Sequence, residues 1–272
     1  MSTKTADPKE ELVYRVSHWL TPANFPAIQN DVISNRQEGT GQWLLDSTEY
    51  EAWRGAARPT LFCPGIPGAG KTMMSSIVID DLQQHLENEH QVGMAYIFCN
   101  FKRQSEQSPT DLFAGLLKQL VENQPVLPDV LETLYEHHSR RKTRPTFHEL
   151  SRILSQVMSH FGRVYLIIDA LDECAMGDSS RDRMLREIFR MQKQGPISLF
   201  ATSRFNPEIQ HLFRGELSLE IRASKDDIAK FLAEHLSELP TCVQDDVTLQ
   251  KSIMSEVIRA SEGMYVMKVH RF

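Results

Sequence analysis

The residues Gly65-Ile66-Pro67-Gly68-Ala69-Gly70-Lys71-Thr72 satisfy the pattern G-x-x-x-x-G-K-[ST] at every defined position. Glycines at this spacing let the backbone take positive φ and let a phosphate approach the main-chain N–H groups. An apolar run, TLFC, precedes the loop, and a helical pattern from Thr72 to Leu86 follows it. The loop therefore opens a helix N-terminus, where free N–H groups and the macrodipole both favour negative charge. In that geometry Lys71 neutralises β- and γ-phosphates, the Thr72 hydroxyl ligates Mg2+, and the backbone from Gly65 through Met73 cradles the nucleotide. Nothing in the motif chooses ATP over GTP.

A chance glycine-rich loop would stand alone, but a second half of the site lies downstream. Val164-Tyr165-Leu166-Ile167-Ile168-Asp169 is an apolar strand ending in an acid, and Asp172 and Glu173 follow within the next turn. A parallel sheet lines up the C-terminal ends of its strands, so Asp169 is expected beside the loop, holding Mg2+ directly or through water. Glu173 is the first choice to position or deprotonate an attacking water, with Asp172 its rival. After the next apolar run, ISLFAT, comes Ser203-Arg204, and Arg204 is placed to sense a γ-phosphate. Thr202 and Ser203 are candidates to bond the water or the acids.

The elements that must position these residues read as an α/β domain. Runs at TLFCP, VGMAYIF, VYLIID, ISLFAT and LSLEI give about five strands alternating with helical segments. Continuous apolar runs of this kind suit strands buried on both faces of a parallel sheet. Ser108-Pro109-Thr110-Asp111 and Thr146 to Glu149 are helix-start signals. The expected organisation is a flexible N-terminus at 1–18 and a flanking helical segment at 19–58. A P-loop core at 59–222 and a partial, truncated helical domain at 223–272 complete it.

Composition narrows the function classes. A formal net charge of −6 over 272 residues argues against a chain that coats nucleic acid, so no specific nucleic-acid partner is expected. The basic run at 140–144 reads as a solvated loop. No stretch has the length and apolarity of a membrane helix and no signal peptide is legible, which gives an expected cytoplasmic location. Cys63, Cys99, Cys174 and Cys242 lack C-x-x-C spacing, so neither a zinc site nor a disulfide is expected. Cys63 and Cys99, inside apolar runs, read as buried core thiols.

Taken in order, GTGQWLLDSTEYEAW, GIPGAGKT, AYIFCNF, VYLIIDALDEC and FATSRFNPEI make the chain resemble the NACHT-type STAND NTPases of filamentous fungi. The likeness is to their nephrocystin-3-like N-terminal NTPase domain and runs from about Trp19 to Met267. It implies a central parallel sheet in which another strand separates the P-loop strand from the strand ending in Asp169, followed by a small helical domain. It also implies a switch, closed with ADP and opened on exchange for ATP, with self-association or protein partners downstream. Gly39, Thr40, Gly41 and Gln42 match the family's GTGQW segment, so Thr40 and Gly41 are expected to contact the nucleotide from the side away from the sheet. Gly263-Met264-Tyr265 match its GM[FY] segment. The leading expectation is a slow Mg2+-dependent NTPase that binds ATP and ADP. The alternatives are a nucleotide-holding scaffold or truncated remnant without turnover, and a P-loop small-molecule kinase.

Overall fold

The computed structural model describes residues 8–86, 89, 91–122, 124, 126–174 and 180–261. The GM[FY] match and the apolar end of the chain lie outside them. Helices α1 (Pro8–Leu20), α2 (Phe25–Ile33), α3 (Gln42–Leu45) and α4 (Thr48–Gly55) precede the first strand. Strands and helices then alternate through β1 (Thr60–Pro64), α5 (Lys71–Leu86), β2 (Val92–Phe98), α6 (Pro109–Glu122), α7 (Asp129–Arg141), α8 (Phe147–Met158) and β3 (Arg163–Asp169). They continue through α9 (Ser180–Gln194), β4 (Ile197–Ser203), α10 (Pro207–Leu212) and β5 (Leu217–Ser218), after which α11 (Lys225–Glu234), α12 (Thr241–Gln244) and α13 (Val247–Ala260) follow.

The strands form one parallel sheet in the order β2-β3-β4-β1-β5. β4 thus separates β1 from β3, as the family resemblance implies. Phe98 pairs with Asp169 and Pro64 with Ser203, so the C-terminal ends of β1 to β4 are level at one edge of the sheet. Every residue of β1 and β4 is buried, which explains their unbroken apolar sequences. Helix α5, joined by α2 and α4, makes one covering layer, and α6 with α8 and α9 makes the other, giving an α/β three-layer sandwich. Trp53, fully buried, fixes α4 to the sheet by donating its indole N–H to Leu199 O at 2.9 Å.

The part of the segment expected to be loose at 1–18 that the structure describes, from Pro8 on, is ordered. From Pro8 the chain is helical, and Val13, Val16 and Leu20 are buried against α6 and α7. Their i, i+3, i+7 spacing is the apolar stripe of an amphipathic helix, masked in the sequence by the charged residues between them. The two helix-start signals behave as read: Thr146 and Glu149 form a reciprocal capping box. The backbone N–H and hydroxyl of Thr146 hold the Glu149 carboxyl at about 2, well below its ordinary range.

β2 ends the sheet, and its outward backbone groups find partners in side chains rather than in another strand. Gln119, buried on α6, accepts from Tyr96 N at 3.2 Å and donates to Tyr96 O at 2.8 Å. Two positions along, Gln107 donates to Phe98 O at 3.2 Å and accepts from Asn100 N at 2.9 Å. An amide side chain carries the same donor and acceptor pair as a peptide unit, so the two glutamines stand where a neighbouring strand would. Replacing Gln119 by Leu keeps the volume but leaves both Tyr96 groups buried and unpaired, at about 1–3 kcal/mol each. Denaturant unfolding of Gln119→Leu is expected to show a loss of about 2 kcal/mol or more, with an unchanged slope.

Candidate functional site

The glycine-rich loop joins β1 to α5. Gly68 and Gly70 have φ of 77° and 88°, the left-handed region that a side chain disfavours. Gly65 is needed for a different reason: a Cβ there would sit 2.5 Å from the backbone oxygen of Ile221, on the segment that leads from the sheet into α11. Lys71 folds back on the loop and donates to Gly65 O at 3.0 Å and Ile66 O at 2.9 Å. Burial lowers the proton affinity of its amine, and the Asp172 and Asp169 carboxylates oppose that. Met73, the next residue after Thr72, packs partly buried against the core.

Asp169, 1% exposed, meets this loop directly. Its Oδ2 accepts from the Thr72 hydroxyl at 2.7 Å, and its Oδ1 accepts from Ser75 at 2.9 Å and Thr202 at 2.7 Å. Burial raises the pKa of the carboxyl, while the bonds from Thr202, Thr72 and Ser75 stabilise the anion. Thr72 and Asp169 thus converge as two hard oxygen donors at the mouth of the loop, a set that fits Mg2+ completed by phosphate oxygens and water.

Beyond Asp169 the chain reverses through Ala170, whose φ and ψ are both 54° and whose N–H donates to Thr202 Oγ1 at 2.9 Å. A single 3₁₀ turn, Leu171–Glu173, then carries both remaining acids back over the sheet edge. Asp172 is heavily engaged. Its Oδ1 accepts from Arg204 N at 2.7 Å and Ser203 Oγ at 3.2 Å, and its Oδ2 lies 2.9 Å from Arg204 Nε. Glu173 makes fewer contacts: Oε1 with the Arg204 guanidinium at 2.9 Å, and Oε2 with the N–H of Phe101 at 3.3 Å. Lys71, Thr72, Asp169, Asp172, Glu173 and Arg204, separate in sequence, are therefore brought to one place.

The GTGQW segment stands on the other side of α5. Gly41, φ 77°, lies so close that an added Cβ would be 2.4 Å from Ile77 Cδ1. Its N–H and the Trp43 indole N–H both donate to Asp227 Oδ2, at 3.0 and 3.1 Å, and Lys230 donates to Gly39 O at 2.6 Å. Thr40 turns its hydroxyl to Gln37 O at 2.7 Å, and its carbonyl accepts from Arg36. This segment is consequently bolted to α11. Asp227 and Lys230 were not legible as site neighbours, because an acid three residues after Ser224 reads as ordinary helix-start chemistry; it does sit there, with its N–H capped by Ser224. Ser75, one turn past Lys71, was hidden inside a helical pattern.

The cysteine reading needs correction. Cys63 is a buried thiol, its pKa pushed up by burial, as expected. Cys99, however, is disulfide-bonded to Cys174 across 75 residues of sequence. Strand pairing of β2 with β3 brings the two together, and linear spacing carries no trace of that pairing.

Comparison with known proteins agrees with this architecture. The family model described as "Nephrocystin 3, N-terminal" matches residues 39–204. The vegetative incompatibility protein HET-E-1 of Podospora anserina is 25% identical over 237 residues, covering 82% of this chain and 17% of its own length. This chain thus spans about a sixth of that relative. Among solved structures, the ORC1 protein of Aeropyrum pernix, solved in complex with DNA, is 14% identical at a TM-score of 0.50, over 95% of this chain and 56% of that one. The Walker-type ATPase PABY2304 of Pyrococcus abyssi gives the same identity and TM-score, over 83% and 66% of the two chains. These two likenesses establish a shared P-loop NTPase fold. Among the described residues no helix is long and apolar enough to cross a membrane.

Because the contact at Gly65 is with backbone and not with a movable side chain, Gly65→Ala is expected to lower stability by about 1–3 kcal/mol, read by thermal unfolding.

Proposed function

We propose that this chain, which belongs to the nephrocystin-3 N-terminal family, is a nucleotide-binding regulatory NTPase of the STAND/NACHT class that binds ATP or GTP and hydrolyses it slowly. The observation that carries this reading is the direct 2.7 Å bond between the Thr72 hydroxyl and the Asp169 carboxylate, which joins the two halves of a P-loop site. Thr72 and Asp169 would hold Mg2+, which when bound would supply charge neutralisation at the phosphates. The Gly65 N–H is given to Ser203 O and Pro67 has none, so the loop N–H groups from Gly68 to Thr72 hold the phosphates, and Lys71 leaves its own loop carbonyls to pair with the incoming charge. Thr40 and Gly41 lie on the flank bound to α11, a position suited to the base or ribose.

The two acids divide the remaining work. Asp172 has its oxygens taken up by Ser203 and Arg204, which suits a residue that positions the arginine. Glu173, freed when Arg204 turns to a γ-phosphate, orients the attacking water and accepts its proton. The link from the GTGQW segment to Asp227 and Lys230 gives the helical segment a way to follow the state of the nucleotide. A relative that is a vegetative incompatibility protein supports a role in signalling or self-recognition, through protein partners or self-association.

Acid extraction of the purified chain followed by chromatography is expected to release ADP, and Mg2+-dependent phosphate release is expected to be slow. Bound nucleotide without any turnover would instead favour a scaffold. Lys71→Ala is expected to abolish nucleotide binding in calorimetry. Glu173→Gln should keep ATP affinity within about twofold and slow phosphate release about a hundredfold. If Asp172→Asn gives that pattern and Glu173→Gln does not, the roles of the two acids are reversed.

A further inference from the structure

Cys99 and Cys174 bracket one residue of the site. Cys99 directly follows β2, and Cys174 directly follows Glu173. Their sulfurs are bonded with the Cα atoms 5.1 Å apart, and Cys99 N donates to Asp169 O at 3.1 Å. Phe101, two residues on, donates its N–H to the Glu173 carboxylate. The turn bearing Glu173 is anchored at its start by the bond from Ala170 N–H to Thr202. Its last backbone bond, from Cys174 N to Leu171 O, is long at 3.4 Å. At that end the covalent link to β2 is the strongest restraint. A parallel sheet with so extensive a buried core has no need of a staple of the kind small secreted domains use, which directs attention to the link's place beside Glu173.

We propose that Cys99 and Cys174 form a reversible thiol–disulfide site that sets how firmly the Glu173 turn is held; its effect on turnover rests on the hydrolysis reading above. The chemical partner is a low-molecular-weight disulfide of the glutathione type. One cysteine thiolate attacks that disulfide and releases one small thiolate. The second cysteine thiolate then displaces the other small thiolate from the mixed disulfide, so that two protein thiols are oxidised, one small disulfide is reduced, and the two protons lost by the cysteines are taken up by the two small thiols. Both cysteines are buried, at 5% and 2% exposure, so exchange proceeds only when the turn opens and is slow on the closed chain. Lys71 and Thr72 open α5 and the glycines lie on the loop between β1 and α5, none of which the link touches. The redox state therefore alters the ordering of Glu173 and leaves nucleotide affinity unchanged.

The test compares the full chain after equilibration with oxidised glutathione and after reduction by a phosphine. Alkylation under denaturing conditions is expected to label only Cys63 and Cys242 in the oxidised form and all four cysteines in the reduced one. Reduction is expected to speed hydrogen exchange of the amides at 171–174 and to lower kcat for phosphate release about tenfold, with ADP affinity unchanged. Cys99→Ser should behave as the reduced form under both conditions. Labelling of Cys99 and Cys174 after glutathione treatment, identical amide exchange in the two states, an unchanged kcat in an active chain, or an equal reductant response in Cys99→Ser would each overturn the proposal. A chain with no turnover in either state, but with the labelling and exchange differences intact, supports the thiol site and removes the hydrolysis reading instead.

Discussion

A buried carboxylate can persist as an anion only where hydrogen bonds replace the water it has lost, and Asp169 meets that condition with hydroxyls from Thr72, Ser75 and Thr202. Those three donors come from α5 and β4, so satisfying one side chain ties α5, the strand that ends in the acid and its neighbour β4 into a fixed relation. The strand order makes this possible. With β4 between β1 and β3, Thr202 reaches Asp169 from the adjacent strand while Thr72 arrives from the first turn of α5. Asp169 is held in the same frame that would hold a metal ion, which is how a site of few ligands can be ordered before anything binds.

The second tier of the site depends on the first. The left-handed Ala170, an uncommon conformation for a residue with a side chain, returns the chain over the sheet edge within one residue of Asp169. The hydroxyl of Thr202, already committed to Asp169, also receives the Ala170 N–H. One threonine therefore stabilises both the anion and the turn. The acids that follow receive different environments from this geometry: Asp172 is enclosed by the end of β4, and Glu173 faces Phe101 and the tip of the Arg204 guanidinium. Two carboxylates adjacent in sequence are thereby given different freedom, the usual route by which a site assigns them different tasks.

What was legible in the sequence was what chemistry writes locally. The loop from Gly65 to Thr72, the strand ending in Asp169, and the Ser203-Arg204 pair each carry their residue types and their structural context in a short stretch. The unbroken apolar runs of β1 to β4 likewise report burial on both faces. The contacts that escaped are those made between distant segments. Asp227 meets Gly41 across 186 positions and Cys99 meets Cys174 across 75, and neither pairing leaves a spacing that periodicity could detect. α1 was misread for another reason: Val13, Val16 and Leu20 are too widely separated by polar residues to stand out beside the denser patterns downstream. Gln119 was invisible because a glutamine inside an amphipathic helix reads as surface, and only the position of the sheet edge reveals its work.

That edge bears on how copies of this chain could meet. A sheet with an open outer strand can grow by adding a strand from another molecule, a route that leads to fibres unless something blocks it. Here the backbone groups of Tyr96 and Phe98 on β2 are already bonded to Gln119 and Gln107. An incoming strand would have to displace two buried amides to pair with Tyr96 and Phe98. Strand addition along the C-terminal half of β2 is thereby opposed at the level of individual hydrogen bonds, by side chains that belong to the chain's own fold.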